Sequence, residues 1–269
     1  MVGHTDESGV TLPPLHPRCR CAIMYREVGT PRVMQPKPSK PPSDTSQGQR
    51  DFFIPNLNPR PLKSIGVRHY ATVQIILANA PNHKAAEVWA KFENKVRIGA
   101  IDRGKTAVHF NGAIYFNINE VMRGDVINEP YQLLFHEGAH NIDHALAKNG
   151  QNLSEYYGDE ALLKAIEKDF AKLMPNIAVL KNNWIREYGL KERALLSDLL
   201  GLYSDGEHHL GTGHDRKYWL EGGRPRKSHE AFAIFMEASL ANAPAYKILS
   251  RHLPTAAKIF NVMMEDLLK

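Results

Sequence analysis

The sequence predicts an α+β fold, mostly helical, with one small β-sheet or hairpin. Three observations carry this. Apolar residues recur at helical spacing in most segments after Phe52. The Asn-Gly pair Asn111-Gly112 separates two short alternating runs, which is a strong short-range hairpin signal. Residues 29–51 are so rich in Pro, Ser, Lys and Gln that they cannot bury a core, and they read as a semi-stiff linker.

The elements follow in order. Ser64 to Leu77 alternates β-branched residues, including Val67, Val73, Ile75 and Ile76, and reads as a strand or a strand–helix junction. Pro81 to Val96 has helical spacing through Ala85, Val88, Trp89 and Phe92. Thr106–His109 and Ala113–Asn117 form the hairpin. Pro130 to Lys148 reads as a helix that opens with proline in its first turn and stops at Asn149-Gly150. Gly158 to Leu173 and Trp184 to Leu202 are helical by pattern. Ser204 to Gly223 reads as a loop rich in glycine and histidine, and Ser228–Asn242 and Pro244–Leu268 close the chain as helices. Three units result: a short segment 1–28, the linker 29–51, and one large folded domain over 52–269.

Composition narrows the function classes. At 269 residues and 43% hydrophobic, the chain can bury a core without disulfide staples. No apolar run approaches the roughly 20 residues that span a bilayer. The first ten residues hold His4, Asp6 and Glu7 and no apolar signal region, so neither a signal peptide nor a transmembrane segment is expected. The net charge of +5 is too mild to argue for nucleic acid, and the sparse basic positions Arg32, Lys37 and Lys40 in the linker read as a solvated spacer. Cys19 and Cys21 stand one residue apart, where a disulfide would be badly strained, so they read as thiols or metal ligands.

The chemistry is concentrated in His136-Glu137-Gly138-Ala139-His140, an HExxH motif inside the helix predicted over 130–148. Residues i and i+4 share one helical face, so both imidazoles can reach one Zn²⁺. Glu137 sits beside them, where it can act as general base on a water and then as acid toward the leaving amine. The flanking Leu133, Leu134, Phe135, Ala139 and Ile142 predict a buried helix, and buried histidines require partners. A catalytic zinc needs a third protein ligand. Glu160, Asp215 and Glu230 compete. Glu160 also fits an acidic first helical turn. Asp215 sits far downstream in a motif with one residue too many. Glu230 opens the apolar run Glu230-Ala-Phe-Ala-Ile-Phe-Met-Glu237, where a carboxylate wants a cation, and it is the preferred ligand. Tyr218 and His214, in the loop that also holds His208, His209 and Trp219, are candidate donors to a developing oxyanion. Asp143 could orient a ligand imidazole, and His144 reads as a surface residue or one just behind the metal.

Four of these patterns together carry a resemblance. His136–Asp143, Ser197-Asp198, Gly213-His214 with Tyr218-Trp219, and Glu230–Ala233 resemble the metallopeptidase-like C-terminal domains of phage minor head (head morphogenesis) proteins. Gly9-Val-Thr-Leu-Pro-Pro-Leu-His-Pro-Arg-Cys-Arg-Cys21, with His16, Cys19 and Cys21, resembles the closing motif of the Mu-type head morphogenesis domain. The helix 230–237 is similar to a zinc-ligating helix in the anthrax lethal factor catalytic domain, which implies Glu230 as third ligand. In that pattern an acid follows the ligand by four residues, where this chain has Ile234, so the outer carboxylate is missing there. The tyrosine before that helix also has no match, since Gly222-Gly223 occupies the region.

The resemblance implies a zincin-like domain of gluzincin type, with the β-hairpin lining its cleft. His136, His140 and Glu230 would bind Zn²⁺, and Glu137, Tyr218 and His214 would act on the substrate. It implies a peptidase of a phage or prophage minor head protein, virion-associated or in the bacterial host cytoplasm. Its partners would be a protein or peptide substrate and capsid or portal proteins, while composition and charge argue against a membrane or nucleic acid. The alternative is a non-catalytic capsid-associated interaction protein with a structural or vestigial metal site.

Overall fold

The computed structural model describes residues 59–100, 107–110, 113–116 and 118–269. The segment 1–28 with His16, Cys19 and Cys21, the linker 29–51, and the Asn111-Gly112 turn lie outside the described residues.

Two helices dominate the fold because their central turns are buried on nearly every side. One is α4 in the chain order β1 (Arg60–Pro61), α1 (Val67–Ala78), α2 (His83–Phe92), β2 (Arg97–Ala100), β3 (Ala107–Phe110), β4 (Ala113–Phe116), α3 (Ile118–Arg123), α4 (Gln132–Ala145). The other is α9 in the continuation α5 (Leu153–Tyr156), α6 (Ala161–Leu173), α7 (Ile177–Glu187), α8 (Leu190–Tyr203), α9 (Arg216–Ala241), α10 (Ala243–His252), α11 (Pro254–Leu268). The run from Glu230 to Leu240 in α9 is wholly buried, and so is α4 from Gln132 to Ala139. These two helices pack along one another at the centre, with α6, α8, α10 and α11 around them. The α+β expectation therefore holds, as a mostly helical domain with a small sheet.

The sheet has the order β1-β2-β4-β3. β3 and β4 pair antiparallel from Ala107↔Phe116 to Phe110↔Ala113, which is the expected hairpin register. β2 joins β4 in parallel, Ile98 beside Ile114, and β1 closes the other edge antiparallel. β2 has no sequence signal beyond Val96, Ile98 and Ala100 at alternating positions, too short a run to separate from a helix end. Its Gly99 is required by a close approach: a Cβ there would stand 2.6 Å from the Tyr115 ring. The sheet lies against α4 through β3 and β4, with Asn141 Oδ1 accepting the Arg97 N–H at 2.8 Å.

Several expected boundaries change. Ser64–Leu77 is not strand; after a 3₁₀ turn at Leu62–Ile65 it is helix α1. Val73 and Leu77, one turn apart, face the core while Val67 and Ile75 are exposed, so surface β-branched residues imitated alternation. The segment read as one helix over 184–202 breaks at Gly189, whose N–H bonds the Glu192 carboxylate at 2.8 Å to start α8. Pro254 ends the helix begun at 243 and starts α11. The predicted loop 204–223 is helical from Arg216, because Asp215 Oδ1 caps it by accepting the Tyr218 N–H at 2.8 Å. α9 is bent at Gly223, which has φ 58 and ψ −158, and Pro225 opens the segment beyond the bend. No helix among the described residues is long and apolar enough to cross a membrane.

Candidate metal centre

The centre is assembled from one turn of α4 and one position of α9. His136 is 1% exposed, and His140 lies one turn further along the same face. Glu230 of α9, 7% exposed, faces them. His136 Nε2 stands 3.2 Å from His140 Nε2 and 3.3 Å from Glu230 Oε2, and His140 Nε2 stands 3.7 Å from Glu230 Oε1. A tetrahedral ion held at about 2.0–2.1 Å from each donor requires donor–donor edges of about 3.3–3.4 Å. The two imidazole nitrogens stand close to such an edge, Glu230 offers one oxygen to each of them, and the set can hold a metal ion.

The protonation pattern favours the same conclusion. Nδ1–H of His136 donates to Glu237 Oε1 at 3.1 Å, which turns Nε2 toward the cluster, where it holds a proton toward Glu230 or, once that proton is lost, a lone pair for a metal. Burial alone would push the Glu230 carboxyl up. The His136 hydrogen bond and the charges of His140, His136 and His214 outweigh it and hold the group well below the usual carboxylate range. Glu230 is therefore an anion inside a buried site.

Glu237 corrects the sequence reading of a missing outer carboxylate. The acid is present, seven residues after Glu230 rather than four, two turns along the same buried face. Its other oxygen accepts from Gln132 Nε2 at 3.0 Å, and Gln132 Oε1 in turn accepts from Asn242 Nδ2 at 3.0 Å. Every member is buried, so this chain fixes α4 against α9 with its polar groups satisfied. The signal was available in the lone acid of an otherwise apolar run.

The remaining candidates separate. Glu137 is buried on α4 beside His136. Tyr218 joins the centre: its hydroxyl donates to Glu230 Oε1 at 2.5 Å. His214 packs on Tyr218 with ring centroids 3.8 Å apart. The Ser197-Asp198 pair explains how that loop is held. Ser197 Oγ donates to the Thr212 carbonyl and accepts the Leu210 N–H, while Asp198 Oδ1 accepts the His214 N–H at 3.3 Å. Gly213 has φ 115, and a Cβ on it would meet Asp198 Oδ1 at 2.8 Å, so this turn requires glycine.

Glu160 is not a ligand; it sits at the start of α6 and pairs with Arg224 at 2.7 Å. Asp215 is a helix cap. Asp143 does not orient a ligand imidazole: it accepts Ser154 N–H at 2.7 Å and Ser154 Oγ–H at 2.8 Å, while burial pushes its carboxyl up to about 6. His144 is on the surface, 3.4 Å from Asn152 Oδ1. Trp219 is fully buried, as an anchor of its segment.

No family model matches the chain, and neither a curated protein nor a solved structure does.

Proposed function

We propose that this domain is a zinc-dependent peptidase of gluzincin type. The observation that carries the proposal is the donor set of His136, His140 and Glu230, whose ligand atoms lie within 4.8 Å of one another and adjoin the buried Glu137. Two imidazole nitrogens and a carboxylate match the ligand chemistry of catalytic zinc, which keeps its fourth position for water or substrate. Zinc bound there would act as a Lewis acid and bring the pKa of water to about 7.

The chain's own residues supply the rest. Glu137 takes a proton from the attacking water and passes it to the leaving amine. Tyr218 and His214 stand on the Glu230 side of the centre, where O–H and N–H donors meet charge growing on the scissile carbonyl oxygen. Glu237 keeps the His136 ring in one orientation and one tautomer. An extended peptide can pair with the outer edge of β3, which lies against α4. The setting in a phage or prophage head, with a capsid protein or host protein as substrate, rests on the resemblance of residues 9–21 and 100–269.

The test compares Glu137→Gln, Glu230→Ala and Glu160→Ala with the wild type. Glu137→Gln keeps one zinc per chain by elemental analysis and loses casein cleavage. Glu230→Ala loses zinc and Glu160→Ala keeps it. Zinc binding without cleavage in the wild type would favour a structural metal in a capsid-associated protein. No zinc after incubation with excess metal would end the peptidase reading.

A further inference from the structure

Tyr218 is held by a residue to which neither the motif nor the metal set points. Arg226 lies beyond the bend at Gly223, and the bend folds its side chain back onto the preceding segment. Its Nη1 donates to the Tyr218 carbonyl oxygen at 2.6 Å, and its Cζ lies 4.5 Å from the centre of the Tyr218 ring. Both contacts depend on Gly222. A Cβ at that position would stand 2.2 Å from Arg226 Nε and 2.5 Å from Arg226 Cβ, so any side chain there would push the guanidinium off the ring. Arg224, two residues earlier, is pinned to α6 by Glu160 and Glu167, which fixes where the segment after the bend begins.

We propose that Arg226 is a positioning residue, stacked on Tyr218 so that its hydroxyl stays aimed at the metal centre. The consequence for catalysis rests on the peptidase reading above. A tyrosine ring turns about two side-chain bonds, and a donor to an oxyanion must stand about 2.7–3.1 Å from it when charge develops. Arg226 constrains both parts of the residue, the main chain through a charge-assisted hydrogen bond and the ring through a cation–π contact. Lysine can replace the charge but not the planar fork.

The experiment reads Tyr218 directly in the full chain with ¹³C at the tyrosine Cζ carbons, its resonance assigned by its loss in Tyr218→Phe. Arg226→Met and Gly222→Ala both shift the Tyr218 resonance, and Arg226→Lys moves it less, with zinc stoichiometry close to wild type in all three and the thermal midpoint close to wild type in the two Arg226 variants. On a fluorogenic casein peptide, Arg226→Met lowers kcat about tenfold and leaves KM within about twofold, and adds nothing in the Tyr218→Phe background. A Tyr218 resonance unmoved in Gly222→Ala and in a folded Arg226→Met chain would overturn the inference. So would an equal kcat loss with and without Tyr218. Absence of cleavage by the wild type would end the peptidase reading instead, and the resonance would still decide whether Arg226 positions Tyr218.

Discussion

A single carboxylate decides how well His136 can serve as a ligand. Glu237 is fully buried, and its Oε1 accepts the His136 Nδ1 proton. Replacing it by glutamine keeps the size and an acceptor but removes the charge that raises the basicity of the far nitrogen. Glu237→Gln is expected to weaken zinc about 10- to 100-fold, as loss of such outer partners does elsewhere. Competition with a chelator of known affinity measures this. An unchanged affinity would mean that the His136 tautomer is set by another group. HExxH named His136 and His140 because its spacing follows from helix geometry alone. Glu237 obeys the same geometry at a spacing of seven and stands out as an acid in an apolar run, but its partner lies on another helix, so what it touches was not readable along the chain.

Between elements, the approach of α2 to α4 is set by the glycine of the motif. A Cβ on Gly138 would stand 2.2 Å from Trp89 Cη2 and 2.9 Å from Cζ3. Trp89 is fully buried and packs edge-on against Phe135, with ring centroids 4.8 Å apart, so it has nowhere to retreat. Gly138→Ala therefore costs about 1–3 kcal/mol through overpacking, although alanine is the better helix former. Urea unfolding reads the loss, and Trp89→Phe in the same chain recovers part of it by vacating the clashing atoms. A more stable Gly138→Ala protein would show that the two helices separate freely. The helices α2, α4 and α6 were legible because their apolar positions repeat at 3.6 residues. The breaks at Gly189, Gly223 and Pro254 were not, since apolar periodicity runs through a bend when both segments face the same core.

For the whole molecule, the core runs from Leu62 to Met264 and closes around α4 and α9. The linker 29–51 has almost no large apolar residue to add to it. Deleting residues 1–51 should leave the thermal midpoint within about 2 °C, where a loss of 1 kcal/mol would move it about 2–4 °C. A larger drop would show that the removed segment packs on the domain. By itself the sequence determined the mostly helical class, the hairpin, the two histidines and Glu137 on one helix, and the preference for Glu230. All of these follow from local periodicity, turn chemistry or the need of a buried carboxylate for a cation. Only the tertiary structure decided that Glu160 pairs with Arg224 and Asp143 with Ser154, that Glu237 backs His136, and that Arg226 lies over Tyr218. Those contacts depend on how helices cross and where α9 bends, distances that spacing along one chain does not encode.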